Sequence, residues 1–427
     1  MLKNICKTFC FQRKYRSIIS LSHERHRLLS TEDKTREHVK SAEISQPIES
    51  TFESINRVLK DKSLKDLLNE ASSELESIGS GAQELTQRDI NESIAKRDQK
   101  RLSLRPKTAP EDTTVMLFPG QGSQFVGMGY HVIDSPNVKQ MFTIAKQILG
   151  YDLLDLCLNG PIERLNQTQF SQPAIFVTSL AAVESLRQSG SGDVESCVAT
   201  AGFSVGELAA LVFAGALSFE DGLRLVKIRA EAMQYATELV PSAMITVFFN
   251  ADARINFACN AAKEWCLRKG VQPEYAVCSV ANYLFPHCKV VAGHEEAISF
   301  LQMNAKDFGI KKTKRLPVSG AFHTSLMAPA REVMREALKR IRIDVPLIPV
   351  HSNFDARVYS NADDIRKKLA KQIVSPVRWE QILHIIYERP KETKCPKTFE
   401  CGPGTSLLST LNMVHGIARR SARHVPV

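Results

Sequence analysis

The chain has 427 residues, a formal net charge of +10, ten cysteines and 43% hydrophobic residues, enough for one large α/β domain with an insertion, or two domains, plus extensions. No apolar run reaches the roughly 18 residues of a spanning helix, so membrane insertion is not expected. The scattered cysteines form neither a Cys-x-x-Cys pair nor a Cys/His cluster, so no metal site is expected and a reduced compartment fits.

Residues 1–30 carry Lys3, Lys7, Arg13, Lys14, Arg16, Arg25 and Arg27 against Glu24 alone, a local charge of +6 that leaves only +4 for the remainder. An excess that small is weak evidence for a polyanionic partner, and nucleic-acid binding has no motif support. Among those cations stand Leu2, Ile5, Phe9, Phe11, Tyr15, Ile18, Ile19 and Leu21. A cationic, acid-poor, intermittently apolar start predicts a mitochondrial transit peptide and hence the matrix; a disordered basic tail is the alternative. From 31 to 112 the chain is rich in Ser, Glu, Lys, Gln and Arg, with Phe52 its only aromatic residue. That composition predicts a linker, with one apolar stripe over 52–79 compatible with a helix.

The globular part opens at Thr114. Val115–Phe118 reads as a short strand, followed by the glycine-rich Pro119-Gly120-Gln121-Gly122-Ser123-Gln124. The Lys-Ser/Thr of a phosphate-binding P-loop is absent, so a backbone amide aimed at a substrate oxygen is the better use of this loop. Helices broken at Gly150 and Pro161 lead to the apolar run Val198–Ala201. Only Gly202-Phe203-Ser204-Val205-Gly206 separates that strand from an Ala/Leu-rich helix. So tight a turn exposes its central residue, and Ser204 then stands at a helix start whose N–H groups favour an oxyanion. This has the form of a nucleophile elbow; a simple strand-to-helix turn is the alternative.

Ser218-Phe219-Glu220-Asp221 has the form of a capping box and starts a helix running to about Thr237. At 100° per residue, Leu223, Val226, Ala230 and Met233 share one side, with Leu225, Ala232 and Ala236 adjoining. Arg229 projects into the middle of that apolar arc. A guanidinium there must meet a buried carboxylate of the protein or take one from a ligand.

Residues 241–309 alternate apolar runs with helical stretches in the order strand-helix-strand-strand-helix, which suggests a small ferredoxin-like α+β insertion. Lys311, Lys312, Lys314 and Arg315 form a basic run, either a solvated face or a meeting point for an anionic group. Beyond it, His323 follows an expected strand and precedes a helix, so it can reach the same sheet edge as Ser204. Further strands are expected near Ile348–Val350 and at Thr398–Cys401.

Phe118–Gln124, Gly202–Glu207, the helix with Arg229, Gly320-Ala321-Phe322-His323-Thr324, Gln372 ahead of Pro376-Val377-Arg378-Trp379, and Glu400-Cys401-Gly402-Pro403-Gly404 occur together and in this order. In these motifs, over roughly residues 113–416, the chain resembles the malonyl-CoA:acyl carrier protein transacylases, most of all the mitochondrial type. The resemblance implies an α/β-hydrolase-like large domain (113–240 and 310–427) with a ferredoxin-like insertion (241–309). It implies a ping-pong transfer from malonyl-CoA to holo acyl carrier protein by a monomer without a cofactor. By the same resemblance Ser204 is the nucleophile and His323 the general base. Gln121 and Val205 supply oxyanion N–H groups, Arg229 grips the malonyl carboxylate, and the Gln372 carbonyl orients the histidine. Phe322 is expected to narrow the acyl pocket or simply to pack. Asn282 begins Asn282-Tyr283-Leu284-Phe285-Pro286-His287-Cys288, which departs from the bacterial Asn-x-Asn-Ser-Pro-x-Gln, so its acyl or pantetheine contacts differ in detail. A serine esterase or thioesterase uses the same nucleophile and base, but has no use for a buried cation. A non-catalytic scaffold leaves the coincidence of motifs unexplained.

Overall fold

The computed structural model describes residues 108–427 apart from Ser319 and Lys391; the expected leader at 1–30, nearly all of the linker and the stripe at 52–79 lie outside the described residues. The chain folds as an α/β structure built on two five-stranded sheets.

The first sheet has the order β10-β9-β1-β2-β7, formed by Ala422–Val425, Lys397–Cys401, Thr114–Phe118, Cys197–Gly202 and Val350–His351, and every pairing in it is parallel. A parallel sheet covered on both faces needs strands without polar alternation, and all five residues of β1 are buried. Because β1 and β2 pair in parallel with Phe118 beside Gly202, the glycine-rich loop and the Ser204 turn leave the same carboxyl edge. The segment after β7, His351-Ser352-Asn353, leaves that edge too. In open parallel sheets this is the edge where ligands bind.

The helix Phe219–Leu239 packs beside the helices Thr168–Gln188 and Ala328–Lys339. Ser218 caps it, its hydroxyl accepting from the Asp221 N–H at 3.0 Å. The expected apolar arc is buried, Arg229 included, while Arg224, Lys227, Glu231 and Gln234 are partly exposed.

The second sheet has the order β6-β3-β5-β4-β8, formed by Ile310–Arg315, Ser242–Phe249, Cys288–His294, Cys278–Phe285 and Val377–Arg378. Its pairings are antiparallel except that β8 runs parallel to β4. The helices Ile255–Arg268 and Glu295–Met303 share its apolar core with Ile245, Val247, Val280 and Val291.

Three expectations need correction. The boundary at 309 falls one strand short, because the basic run at 311–315 is itself the edge strand β6, paired with β3. Its side chains are exposed except at Ile310 and partly at Thr313, so no apolar alternation marks it. The strand expected directly ahead of His323 is absent among the described residues, since the chain leaves β6 at Arg315 and reaches His323 through irregular backbone. Val377–Arg378, expected within the large domain, instead joins the second sheet beside Asn282 and Tyr283.

Candidate active site

The Ser204 turn is as tight as its glycines allow. A Cβ on Gly202 would lie 1.9 Å from the Gly206 carbonyl, and one on Gly206 would lie 2.3 Å from the Phe118 oxygen. Only glycine permits the new helix, Gly206–Phe213, to start this close to β1 and β2. Ser204 has φ +55°, a left-handed conformation costing a side-chain-bearing residue about 1–2 kcal/mol. Asn353, from the segment after β7, braces it. Its Oδ1 accepts from the Ser204 N–H at 2.7 Å and its Nδ2 donates to the Gly202 oxygen at 2.7 Å. Trp379, fully buried, packs its ring edge-on to Phe203 at 5.5 Å.

His323 Nε2 lies 2.9 Å from Ser204 Oγ, and its Nδ1 lies 2.9 Å from the Gln372 carbonyl oxygen. A carbonyl can only accept, so Nδ1 carries the proton and the Nε2 lone pair faces the hydroxyl. Burial, helped by the nearby Arg229 cation and opposed by the Gln372 and Ser375 backbone, pushes His323 down to about 4. The imidazole is therefore a neutral base at physiological pH, oriented by a carbonyl where a triad would use a carboxylate.

Arg229 is 1% exposed. Its Nη2 donates to Ser204 Oγ at 2.9 Å and to Gln372 Oε1 at 2.9 Å, and its Nη1 donates to Gln172 Oε1 at 2.5 Å. All three acceptors are neutral oxygens, and no carboxylate makes an ion pair with it among the described residues. Burial lowers its pKa to about 10, opposed by the charge of Glu207, so it stays cationic. Between the two sits the Gln372 amide, whose Nε2 donates to Glu207 Oε2 at 2.6 Å and to the Ser204 carbonyl at 2.9 Å.

Ser204, His323, Arg229 and Gln372 thus form one connected cluster. Gln121 stands in the adjoining loop, where Gly120 leaves 2.6 Å between a hypothetical Cβ and the Phe203 oxygen. The Gln121 side chain contacts Thr168 at 3.2 Å and Gln172 at 3.4 Å. Val205, fully buried, is the first residue after Ser204 and precedes the helix. Neither Gln121 nor Val205 donates its backbone N–H to an acceptor among the described residues. Phe322 is buried next to His323. Asn282 is buried on β4 opposite Val290 and beside Val377, and it is not a hydrogen-bond partner of the Ser204, His323 or Arg229 side chains among the described residues.

Gln172, Asn353, Glu207 and Tyr359 were not expected at the site. Gln172 offers a sequence signal, standing directly ahead of the apolar, buried run Pro173–Val177 of its helix, where a polar side chain needs a partner. Asn353, Glu207 and Tyr359 offer none, because their partners lie far away along the chain.

A family profile described as the acyl transferase domain matches residues 115–393. The mitochondrial malonyl-CoA-acyl carrier protein transacylase of Homo sapiens is 52% identical over 318 residues, covering 74% of this chain and 81% of that protein. The solved malonyl CoA-acyl carrier protein transacylase of Coxiella burnetii superimposes with a TM-score of 0.66 at 34% identity, covering 75% of this chain and 95% of that one. A malonyl-transacylase solved in complex with its type II PKS acyl-carrier protein matches with a TM-score of 0.63 at 32% identity, over 73% of this chain and 94% of that one. With this likeness over the region that carries the Ser204, His323 and Arg229 cluster, the chain belongs to the malonyl-CoA:acyl carrier protein transacylase family of acyltransferases.

Proposed function

We propose that the protein transfers the malonyl group of malonyl-CoA to the phosphopantetheine thiol of acyl carrier protein, through a malonyl ester on Ser204. The observation that carries this reading is the Arg229 guanidinium, buried, charged, and held beside Ser204 Oγ only by neutral oxygens. A desolvated cation without a carboxylate of its own is matched to a substrate that brings one. An arginine fork offers a planar carboxylate two parallel hydrogen bonds.

The chemistry runs between neighbouring atoms. His323 Nε2 takes the Ser204 proton as Oγ attacks the thioester carbonyl, and the Gln121 and Val205 N–H groups take up the charge on the carbonyl oxygen. Collapse expels the CoA thiolate, which receives the proton from His323. The carrier thiol then gives its proton to His323, attacks the ester and regenerates Ser204. Arg229 holds the free carboxylate throughout, Gln372 orients His323, and Phe322 and Asn282 bound the acyl and pantetheine space. An esterase or thioesterase would hand the acyl group to water and has no need of Arg229.

The large sheet with its elbow is read as an α/β-hydrolase-like domain. The unit β3 to β6 is read as a ferredoxin-like insertion, extended here to Arg315. Likeness to the relative named mitochondrial supports work in the mitochondrion; the matrix and a monomeric state are parts of the same proposal. Incubation with malonyl-CoA should add one malonyl group, mapped by mass spectrometry to Ser204, and holo acyl carrier protein should discharge it. Malonyl on another serine, or release as free malonate at the same rate without carrier, would overturn the reading.

A further inference from the structure

The Gln372 side chain joins three groups of the site, and Glu207, together with the Ser204 carbonyl, sets which way its amide faces. Glu207 is fully buried at the start of the helix Gly206–Phe213. Its Oε1 accepts from the Asn353 N–H at 3.0 Å and from Tyr359 Oη at 2.6 Å, and its Oε2 accepts from Gln372 Nε2 at 2.6 Å. A carboxylate here only accepts, so the NH2 end of Gln372 must face it, which turns Oε1 towards Arg229 Nη2 at 2.9 Å. A donor at the Oε2 position would force the amide to flip. Its NH2 would then face the guanidinium, donor against donor, and its bond to the Ser204 carbonyl would be lost.

We propose that Glu207 is a positioning residue for malonyl selectivity, whose carboxylate fixes the Gln372 amide and through it the place of the Arg229 guanidinium. This rests on the reading that Arg229 holds the malonyl carboxylate. The arrangement is sensitive to pH, because a protonated Glu207 carries a donor just as glutamine would. Burial pushes Glu207 up to about 7, opposed by its bonds from Tyr359, Gln372 and Asn353 and by the Arg229 charge. The groups facing it hold their charge through that range. Arg229 stays cationic, His323 is held neutral, and the Tyr359 phenol is pushed well up by burial and by Glu207. Outside Tyr359, Lys368 is paired with Asp355 at 3.1 Å and Asp364 at 2.9 Å.

The test is the ratio of kcat/KM for malonyl-CoA to that for acetyl-CoA, measured from pH 5.5 to 8.5 on the full chain, a ratio in which titration of CoA itself cancels. In the unsubstituted protein the ratio should fall about tenfold as pH drops through the Glu207 range, the loss of roughly one hydrogen bond to a charged group. Glu207→Gln should hold the low ratio at every pH. Tyr359→Phe removes one stabilising donor from the carboxylate and should move the inflection to higher pH. Should Glu207→Gln fail to fold, Tyr359→Phe decides alone: a shifted inflection supports the inference and an unmoved one overturns it. A Glu207→Gln protein that keeps the unsubstituted ratio and inflection also overturns it. Absence of malonyl transfer by the unsubstituted protein would instead overturn the reading on which it rests.

Discussion

Replacement of Arg229 by alanine separates the two services that its guanidinium can render. Nη2 touches Ser204 Oγ and Gln372 Oε1, and Nη1 touches Gln172 Oε1. A malonyl carboxylate taking the fork forms two charge-assisted bonds in a buried site. At about 1.5–3 kcal/mol each, their loss costs about 3–6 kcal/mol, or roughly 150- to 25,000-fold in kcat/KM for malonyl-CoA. Acetyl-CoA offers no carboxylate and leaves the cation unpaired, so its removal relieves that penalty. Against this, the bond from Arg229 to Ser204 Oγ disappears, and acetyl transfer should change by less than about tenfold in either direction. The malonyl-to-acetyl ratio should therefore fall by at least about tenfold, measured by steady-state transfer to holo carrier from each acyl-CoA. Equal losses for both substrates would instead show Arg229 acting on the nucleophile alone.

Three further outcomes follow from the same geometry. His323 is depressed to about 4, so its base form persists well below the ordinary histidine range. Its contribution to stability is present above about pH 6.5 and is lost as pH falls through about 4. In the Glu207→Gln protein, which lacks the Glu207 titration, acetylation of Ser204 by acetyl-CoA, followed by rapid mixing, should thus be flat from pH 8 to 5, and an acid limb near 6.5 would contradict the assigned environment. Gly206→Ala should abolish the fold or lower stability by about 3 kcal/mol or more, since its Cβ would meet the Phe118 oxygen at 2.3 Å and the Pro119 oxygen at 2.6 Å. Gly122→Ala meets no atom within 4 Å and should cost only its left-handed strain, about 1–2 kcal/mol; equal effects in thermal melts would refute the close-approach argument. Glu400→Ala should cost about 2–4 kcal/mol in urea unfolding, because the buried carboxylate accepts from the Leu407 and Leu408 N–H groups at 3.0 and 2.9 Å.

The parts of the site legible in the sequence were those written over short range. Gly202 to Gly206 between an apolar run and an Ala/Leu run already implies a constrained turn, and the helical wheel puts Arg229 on the buried face from its own neighbours. Long-range polar partners left no such trace. Asn353 reaches Gly202 and Ser204, and Gln372 reaches Ser204 and Glu207, across more than 140 residues, and buried amides obey no periodicity. The resemblance supplied the Gln372 carbonyl, whereas its side chain, wedged between Glu207 and Arg229, became visible only in the fold. The edge strand β6 was hidden for another reason. Pairing on one side only, and exposed at most positions, it carries the charged residues of an edge strand and so reads as a solvated basic run.

Ser204 Oγ has its proton directed to His323 Nε2 and accepts a hydrogen bond from Arg229 Nη2. An oxygen whose lone pair is engaged by a cation is a poorer nucleophile, so attack should be faster once Arg229 lets go. A malonyl carboxylate draws Nη2 away by offering a charged acceptor in place of a neutral hydroxyl, whereas an acetyl methyl leaves it on Oγ. Selectivity should then appear in the acylation rate constant at saturation as well as in the half-saturating concentration. One hydrogen bond to a charged group, about 1.5 kcal/mol, corresponds to roughly tenfold. Rapid-quench acylation of Ser204 should give a maximal rate about tenfold higher with malonyl-CoA than with acetyl-CoA, and Arg229→Ala should remove that difference. A discrimination confined to half-saturation in the unsubstituted protein would mean that Arg229 anchors the substrate without restraining the nucleophile.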